Sequence, residues 1–175
     1  MKGTIDASIP NARECILSNT KETAEHITIV DLIRNDLSRV ANDVRVDRFR
    51  YIDEVRTHNK TLLQVSSEVS GDLPPEYCDK LGDILYALLP AGSISGAPKQ
   101  KTLQIIADVE THDRGYFTGV FGYFDGENLD SGVMIRFIEK QGDQLIYKSG
   151  GGITARSVLE EEYQEMLDKV YLPIH

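Results

Sequence analysis

The 175 residues are 41% hydrophobic and 27% charged, which is chain enough for one domain with a real core and an ordinary globular composition. Twenty-eight acidic against 19 basic residues give a net charge of −9, which argues against non-specific nucleic-acid binding and against an anionic membrane surface. Cys15 and Cys78 make no disulfide framework and match no metal-ligand spacing, so they read as buried or incidental thiols. No apolar run of about 18 residues and no signal-like start is present, so a cytoplasmic enzyme or binding domain fits best.

In chain order, the polar opening Met1-Lys2-Gly3-Thr4 runs into Pro10 without periodicity. A helix is predicted from about Lys21 to Val40, after Asn19 or Thr20 as N-cap, with Ile27, Val30, Ile33 and Leu37 at three- and four-residue steps. Val44–Thr57 and Thr61–Val69 are rich in β-branched residues and predict paired strands. Gly71-Asp72-Leu73-Pro74-Pro75 precedes a helix over about Glu76–Leu89. A glycine loop follows, and Pro98 starts a helix that runs to about Val109. Strands near Thr118–Phe124, Leu129–Ile138 and Gln144–Lys148, joined by Asp125-Gly126-Glu127-Asn128 and Gln141-Gly142-Asp143, predict one antiparallel meander. A last helix covers roughly Val158–Tyr171, ahead of Pro173. Helices that interrupt groups of antiparallel strands predict an α+β layered domain.

Several groups could carry chemistry. In Pro90-Ala91-Gly92-Ser93-Ile94-Ser95-Gly96-Ala97-Pro98-Lys99, glycines admit close backbone approach and a new helix offers unpaired N–H groups to an anion. Glu22 and Glu25 share one helix face, and Glu162 and Glu165 repeat that spacing. Mg²⁺ takes one or two direct carboxylates plus water and substrate oxygens, which two such pairs can supply. The alternative is a solvated face, because Lys21/Glu25 and Glu165/Lys169 are also i,i+4 ion pairs.

Arg136 lies in the apolar stretch Val133–Phe137 and suits a substrate carboxylate, unless it is an outward strand residue paired with Glu139 or Asp130. Gly150-Gly151-Gly152 can donate backbone N–H groups to a second carboxylate, or form a plain turn. Lys2 can act as a nucleophile only if its proton is lost through burial; otherwise it is a loose terminal residue. His26 can support a metal-bound Glu25 or satisfy a core polar contact. Asp31, Arg34, Asn35 and Asp36 read as a structural cluster of hydrogen bonds and salt bridges.

Taken together, these stretches resemble the chorismate-utilising enzymes, and among them component I of aminodeoxychorismate (para-aminobenzoate) synthase. The resemblance is carried by Met1-Lys2-Gly3-Thr4, Glu22 to His26, Val30-Asp31-Leu32-Ile33-Arg34-Asn35-Asp36-Leu37, Gly92–Lys99, Ile135-Arg136, Gly150-Gly151-Gly152-Ile153 and Glu162-Tyr163-Gln164-Glu165 with Lys169. It covers essentially the whole chain. The resemblance implies a four-layer α/β/β/α sandwich with Mg²⁺ and chorismate between two sheets. It also implies metal binding by Glu25 and Glu165, with Glu22 and Glu162 close by. Substrate binding falls to Arg136, the Gly150–Gly152 amides and the Ser95-Gly96 loop.

Lys2 then becomes the catalytic amine, in a position where anthranilate and isochorismate synthases usually carry alanine. The implied reaction is amination of chorismate to 4-amino-4-deoxychorismate, with ammonia from a glutamine amidotransferase subunit. Gln64 departs from the usual histidine, which the resemblance ties to pyruvate elimination, and Phe137 replaces a common threonine. Family domains carry further strands ahead of the lysine. The chain is therefore expected to be the C-terminal portion of a chorismate-binding domain over 1–175, truncated on its N-terminal side and poorly active or inactive alone. The competing expectations are an anthranilate synthase component I and a non-catalytic fragment that binds chorismate or a partner.

Overall fold

The computed structural model describes residues 4–56, 60–155, 157–168 and 170, and the chain divides into two compact units with the boundary after Ala107. In the first unit, β1 (Thr4–Asp6), β2 (Asn42–Arg56) and β3 (Thr61–Asp72) form an antiparallel sheet in the order β1-β3-β2. Thr4 and Asp53 both stand opposite Gln64, and Ile5 and Glu54 opposite Leu63. Because side chains alternate along a strand, Leu63 and Val65 share one face while Gln64 and Ser66 share the other. Register shifts interrupt β2, and Asp43 and Arg50 sit there in left-handed backbone.

Two helices cover the Leu63 face. In α1 (Ala12–Ser18), Ala12 and Ile16 are buried at a four-residue step. Arg13 on α1 pairs with Glu54 of β2, which places α1 on that side. In α2 (Thr20–Leu37), the Asn19 side chain accepts the Glu22 backbone N–H at 3.0 Å and so caps the first turn. The buried residues of α2 are His26 and Val30; Ile27 and Ile33 are exposed, contrary to the expected apolar stripe. His26 takes the core place because its ring bonds Ser67 on β3.

A 3₁₀ turn at Tyr77–Lys80 leads into α3 (Leu81–Leu88), where one longer helix was expected. One helical turn, α4 (Gly92–Ser95), lies inside the segment read as a glycine loop, and α5 (Lys99–Val109) follows. The short α1 and β1 were not predicted.

The second unit corrects the meander. β4 (Val120–Phe124) pairs with β5 (Leu129–Val133), and β6 (Phe137–Gln141) pairs with β7 (Gln144–Lys148), as two separate two-stranded ladders. Reciprocal bonds from Thr118 N–H to the Met134 carbonyl and from Met134 N–H to the Gly119 carbonyl close the first ladder. Arg136 then adopts φ +53, which turns the chain before β6 starts. The expected turns are present: Asp125 Oδ1 accepts from the Glu127 and Asn128 N–H groups, and Gly126 and Gly142 take positive φ. The last helix, α6, spans Leu159–Asp168. Among the described residues no helix is long and apolar enough to cross a membrane.

Candidate functional site

Glu22 and Glu25 occupy the first turns of α2, and both are half-buried. Their three-residue spacing keeps them on one helix face, as expected. His26, beside them, is 3% exposed; its Nε2 lies 2.7 Å from Ser67 Oγ, and its ring stands edge-on to Phe49. The Ser67 hydroxyl also accepts the Arg50 backbone N–H at 2.9 Å. One hydroxyl thus ties the glutamate-bearing helix to the bulged strand β2. Burial holds the His26 imidazole below its ordinary range, and the Arg50 charge works in the same direction. Of the two roles open to His26, the core polar contact is the one seen.

On the sheet face away from α1 and α2, Gln64 is 9% and Ser66 7% exposed, with Thr4 and Asp53 in register on either side of Gln64. A buried amide side chain at the centre of a sheet can donate and accept hydrogen bonds but cannot take up a proton near neutral pH.

The glycine segment after α3 is more closed than its sequence suggested. Ser95 has no exposed surface and its hydroxyl donates to the Ala91 carbonyl at 3.3 Å, so its side chain is used within the loop. Any substrate contact there falls to backbone groups. Gly96 has φ +67 and ψ −166, a region open essentially to glycine alone. Lys99, the first residue of α5, forms a half-buried ion pair with Asp36 in the last turn of α2. The Asp36 cluster was legible as charge at a helix end; its distant partner Lys99 was not. The rest of that cluster is local, with Arg34 3.6 Å from Asp31.

In the second unit, Arg136 is exposed and stands at the junction of β5 and β6, not inside a strand. Gly150, Gly151 and Gly152 lie in irregular backbone after β7 and are exposed. A Cβ on Gly150 would stand 3.1 Å from Phe117 Cζ, but one on Gly151 or Gly152 would meet nothing within 4 Å among the described residues. Neither of those two has a positive φ, so no conformation of the chain itself calls for glycine there. Glu162 on α6 is half-buried and accepts the Ser157 hydroxyl at 2.6 Å. Lys2 and the side chain of Glu165 lie outside the described residues. Among the described residues no three His, Cys, Asp or Glu side chains converge as a metal cluster. Each of Glu22, Glu25 and Glu162, taken singly, offers carboxylate oxygens, the donor type that suits a hard cation such as Mg²⁺.

A family profile described as chorismate binding enzyme matches residues 1–174. An uncharacterised PabA-like protein of Pasteurella multocida is 57% identical over 99% of this chain and 54% of that protein. An aminodeoxychorismate synthase component 1 of Bacillus subtilis is 39% identical over 89% of this chain and 33% of that protein. An anthranilate synthase component 1 of Aquifex aeolicus is also 39% identical, over 96% of this chain and 33% of that protein. A crystal structure of a Bacillus anthracis protein described as a 2,3-dihydroxybenzoate-specific isochorismate synthase superposes with TM-score 0.76 at 25% identity. That superposition covers 96% of this chain and 45% of the other. The mixed α+β fold is therefore that of the chorismate-utilising enzymes. The chain spans about half the length of the Pasteurella relative.

Proposed function

The chain belongs to the family of chorismate binding enzymes, and from that premise we propose that it aminates chorismate to 4-amino-4-deoxychorismate. In this reading ammonia comes from a glutamine amidotransferase partner, and the bound cation is Mg²⁺. The balance is chorismate plus ammonia giving the amino acid product plus water. The Lys2 amine bonds to the ring as the 4-hydroxyl leaves, taking a proton to depart as water. Ammonia then forms the new C–N bond, and the Lys2 amine is released.

Glu22, Glu25, Glu162 and Glu165 are the residues that would hold Mg²⁺, which neutralises carboxylate charge on the bound ring acid. The amides of Gly151 and Gly152 and the guanidinium of Arg136 hold the substrate carboxylates in this reading. The open space around the two glycines supports that role, because a side chain there would stand where a ligand approaches.

The single observation that favours amination over anthranilate synthesis is Gln64. Aromatisation with loss of pyruvate needs a group that removes a ring proton, and the buried amide on the central strand β3 is not a base. The test is product analysis by mass spectrometry after incubation with chorismate, ammonium and Mg²⁺. The reading expects 4-amino-4-deoxychorismate and no pyruvate; anthranilate with equimolar pyruvate would contradict it. Because the chain spans about half of the Pasteurella relative, a second reading is ligand binding without turnover. Calorimetric binding of chorismate with neither product formed would identify that case.

A further inference from the structure

Asp36 and Lys99 are 63 positions apart, yet Lys99 Nζ lies 3.0 and 2.9 Å from the two Asp36 carboxylate oxygens. The two side chains keep 21% and 18% of their exposure, so the pair is shielded on most sides. The same carboxylate also meets the start of the loop. A Cβ on Gly92 would stand 3.1 Å from Asp36 Oδ2 and 3.3 Å from Leu32 Cβ. One aspartate therefore lies beside the first residue of the Gly92–Pro98 segment, leaving no room for a side chain there, and bonds the residue that follows its last. Between those two anchors, Gly96 sits in backbone open essentially to glycine, whose own conformational freedom leaves the segment in need of an outside constraint. The carboxylate and ammonium supply that constraint with directional bonds, which an apolar contact would not.

The other end of α2 carries Glu22 and Glu25. At 1.5 Å per residue, about 16 Å of continuous helix separates Glu25 from Asp36. We propose that Asp36 and Lys99 are positioning residues: their ion pair latches the Gly92–Pro98 backbone to α2 and so sets the distance between the substrate-facing loop and the glutamates. This rests on the chorismate reading above, with the Ser95-Gly96 backbone counted among the substrate contacts as the family resemblance implies. Neither residue touches the substrate; both act through the loop backbone.

The test compares Lys99→Met and Lys99→Arg with the unaltered chain by four measurements. These are chorismate titration calorimetry with Mg²⁺ present, Mg²⁺ titration alone, the unfolding midpoint, and amide hydrogen exchange across 92–102. Lys99→Met is expected to weaken chorismate binding about tenfold and to speed exchange in the loop, with the Mg²⁺ titration unmoved. Lys99→Arg keeps a bidentate partner for Asp36 and is expected to restore affinity to within about threefold. Unchanged loop exchange in Lys99→Met overturns the latch itself, whatever the chain binds. Faster exchange and a lower midpoint with chorismate affinity unmoved would make the pair merely structural and overturn the positioning role. An unaltered chain that binds no chorismate overturns the substrate reading, and the exchange measurement then still decides the latch.

Discussion

The two glycine segments differ in who needs the glycines. In the Gly92–Gly96 segment the chain needs them: a Cβ on Gly92 would press on Asp36 and Leu32, and Gly96 holds φ +67. In the Gly150–Gly152 segment only Gly150 meets the chain's own atoms, at the edge of the Phe117 ring. A Cβ on Gly151 or Gly152 would meet no described residue within 4 Å, and neither has a positive φ. A glycine explained by its own fold reports on packing. A glycine that the fold leaves unexplained is free for another role; Gly82 shares that freedom, so at the second segment it is the proposed reading that assigns the role to a ligand.

Alanine substitutions sharpen that contrast, and the largest effects belong to the first segment. Gly92→Ala forces Asp36 or Leu32 to move, and about 1–3 kcal/mol of stability should be lost. Scanning calorimetry would then show a midpoint lower by about 2–12 °C, given the chain length. Gly96→Ala should cost a similar amount, about 1–3 kcal/mol, through backbone strain alone. A Gly92→Ala chain as stable as the parent would erase the distinction. Gly150→Ala should cost about 1 kcal/mol, because the contact at 3.1 Å is with one edge of a ring that can shift. Gly151→Ala and Gly152→Ala should change stability by no more than about 0.5 kcal/mol in chemical denaturation.

The smallest effect concerns the pH at which these comparisons are made. His26 has a lowered pKa in the folded chain, chiefly from burial, with the Arg50 charge acting in the same direction. Below the unfolded value of about 6.5 the unfolded state therefore binds more protons than the native state. Stability is fully present above that pH and falls as the pH drops toward the folded pKa. Denaturation curves of the unaltered chain and of His26→Gln, taken between about pH 7 and 5, should show a slope in the first and a flatter line in the second. Equal slopes would remove His26 as the cause.

Elements with a strong local signal were legible in the sequence. A cap at Asn19 or Thr20 and the start of α2 were readable locally, with Asn19 the one the structure uses, and β2 and β3 came from β-branched runs. The spacing of Glu22 and Glu25 on one face followed from helical period alone. β1 was not legible because three residues have no pattern of their own; pairing with β3 makes them a strand. α1 had a signal in the buried pair Ala12 and Ile16, but it is too short for periodicity to stand out. The left-handed turn at Arg136 was hidden inside a continuous apolar run, so a strand ending at Val133 read as one reaching Ile138. The contact of Asp36 with Lys99 is a tertiary fact, and nothing local to either residue announces it.

The most direct measurement is chorismate titration, with Mg²⁺ present, of the unaltered chain beside Gly151→Ala and Gly152→Ala. The account expects both variants to fold with unchanged unfolding midpoints and to bind chorismate about tenfold or more weakly, because the added methyl stands where the substrate carboxylate meets the backbone. Affinity equal to that of the unaltered chain, or an unaltered chain that binds none, would contradict it.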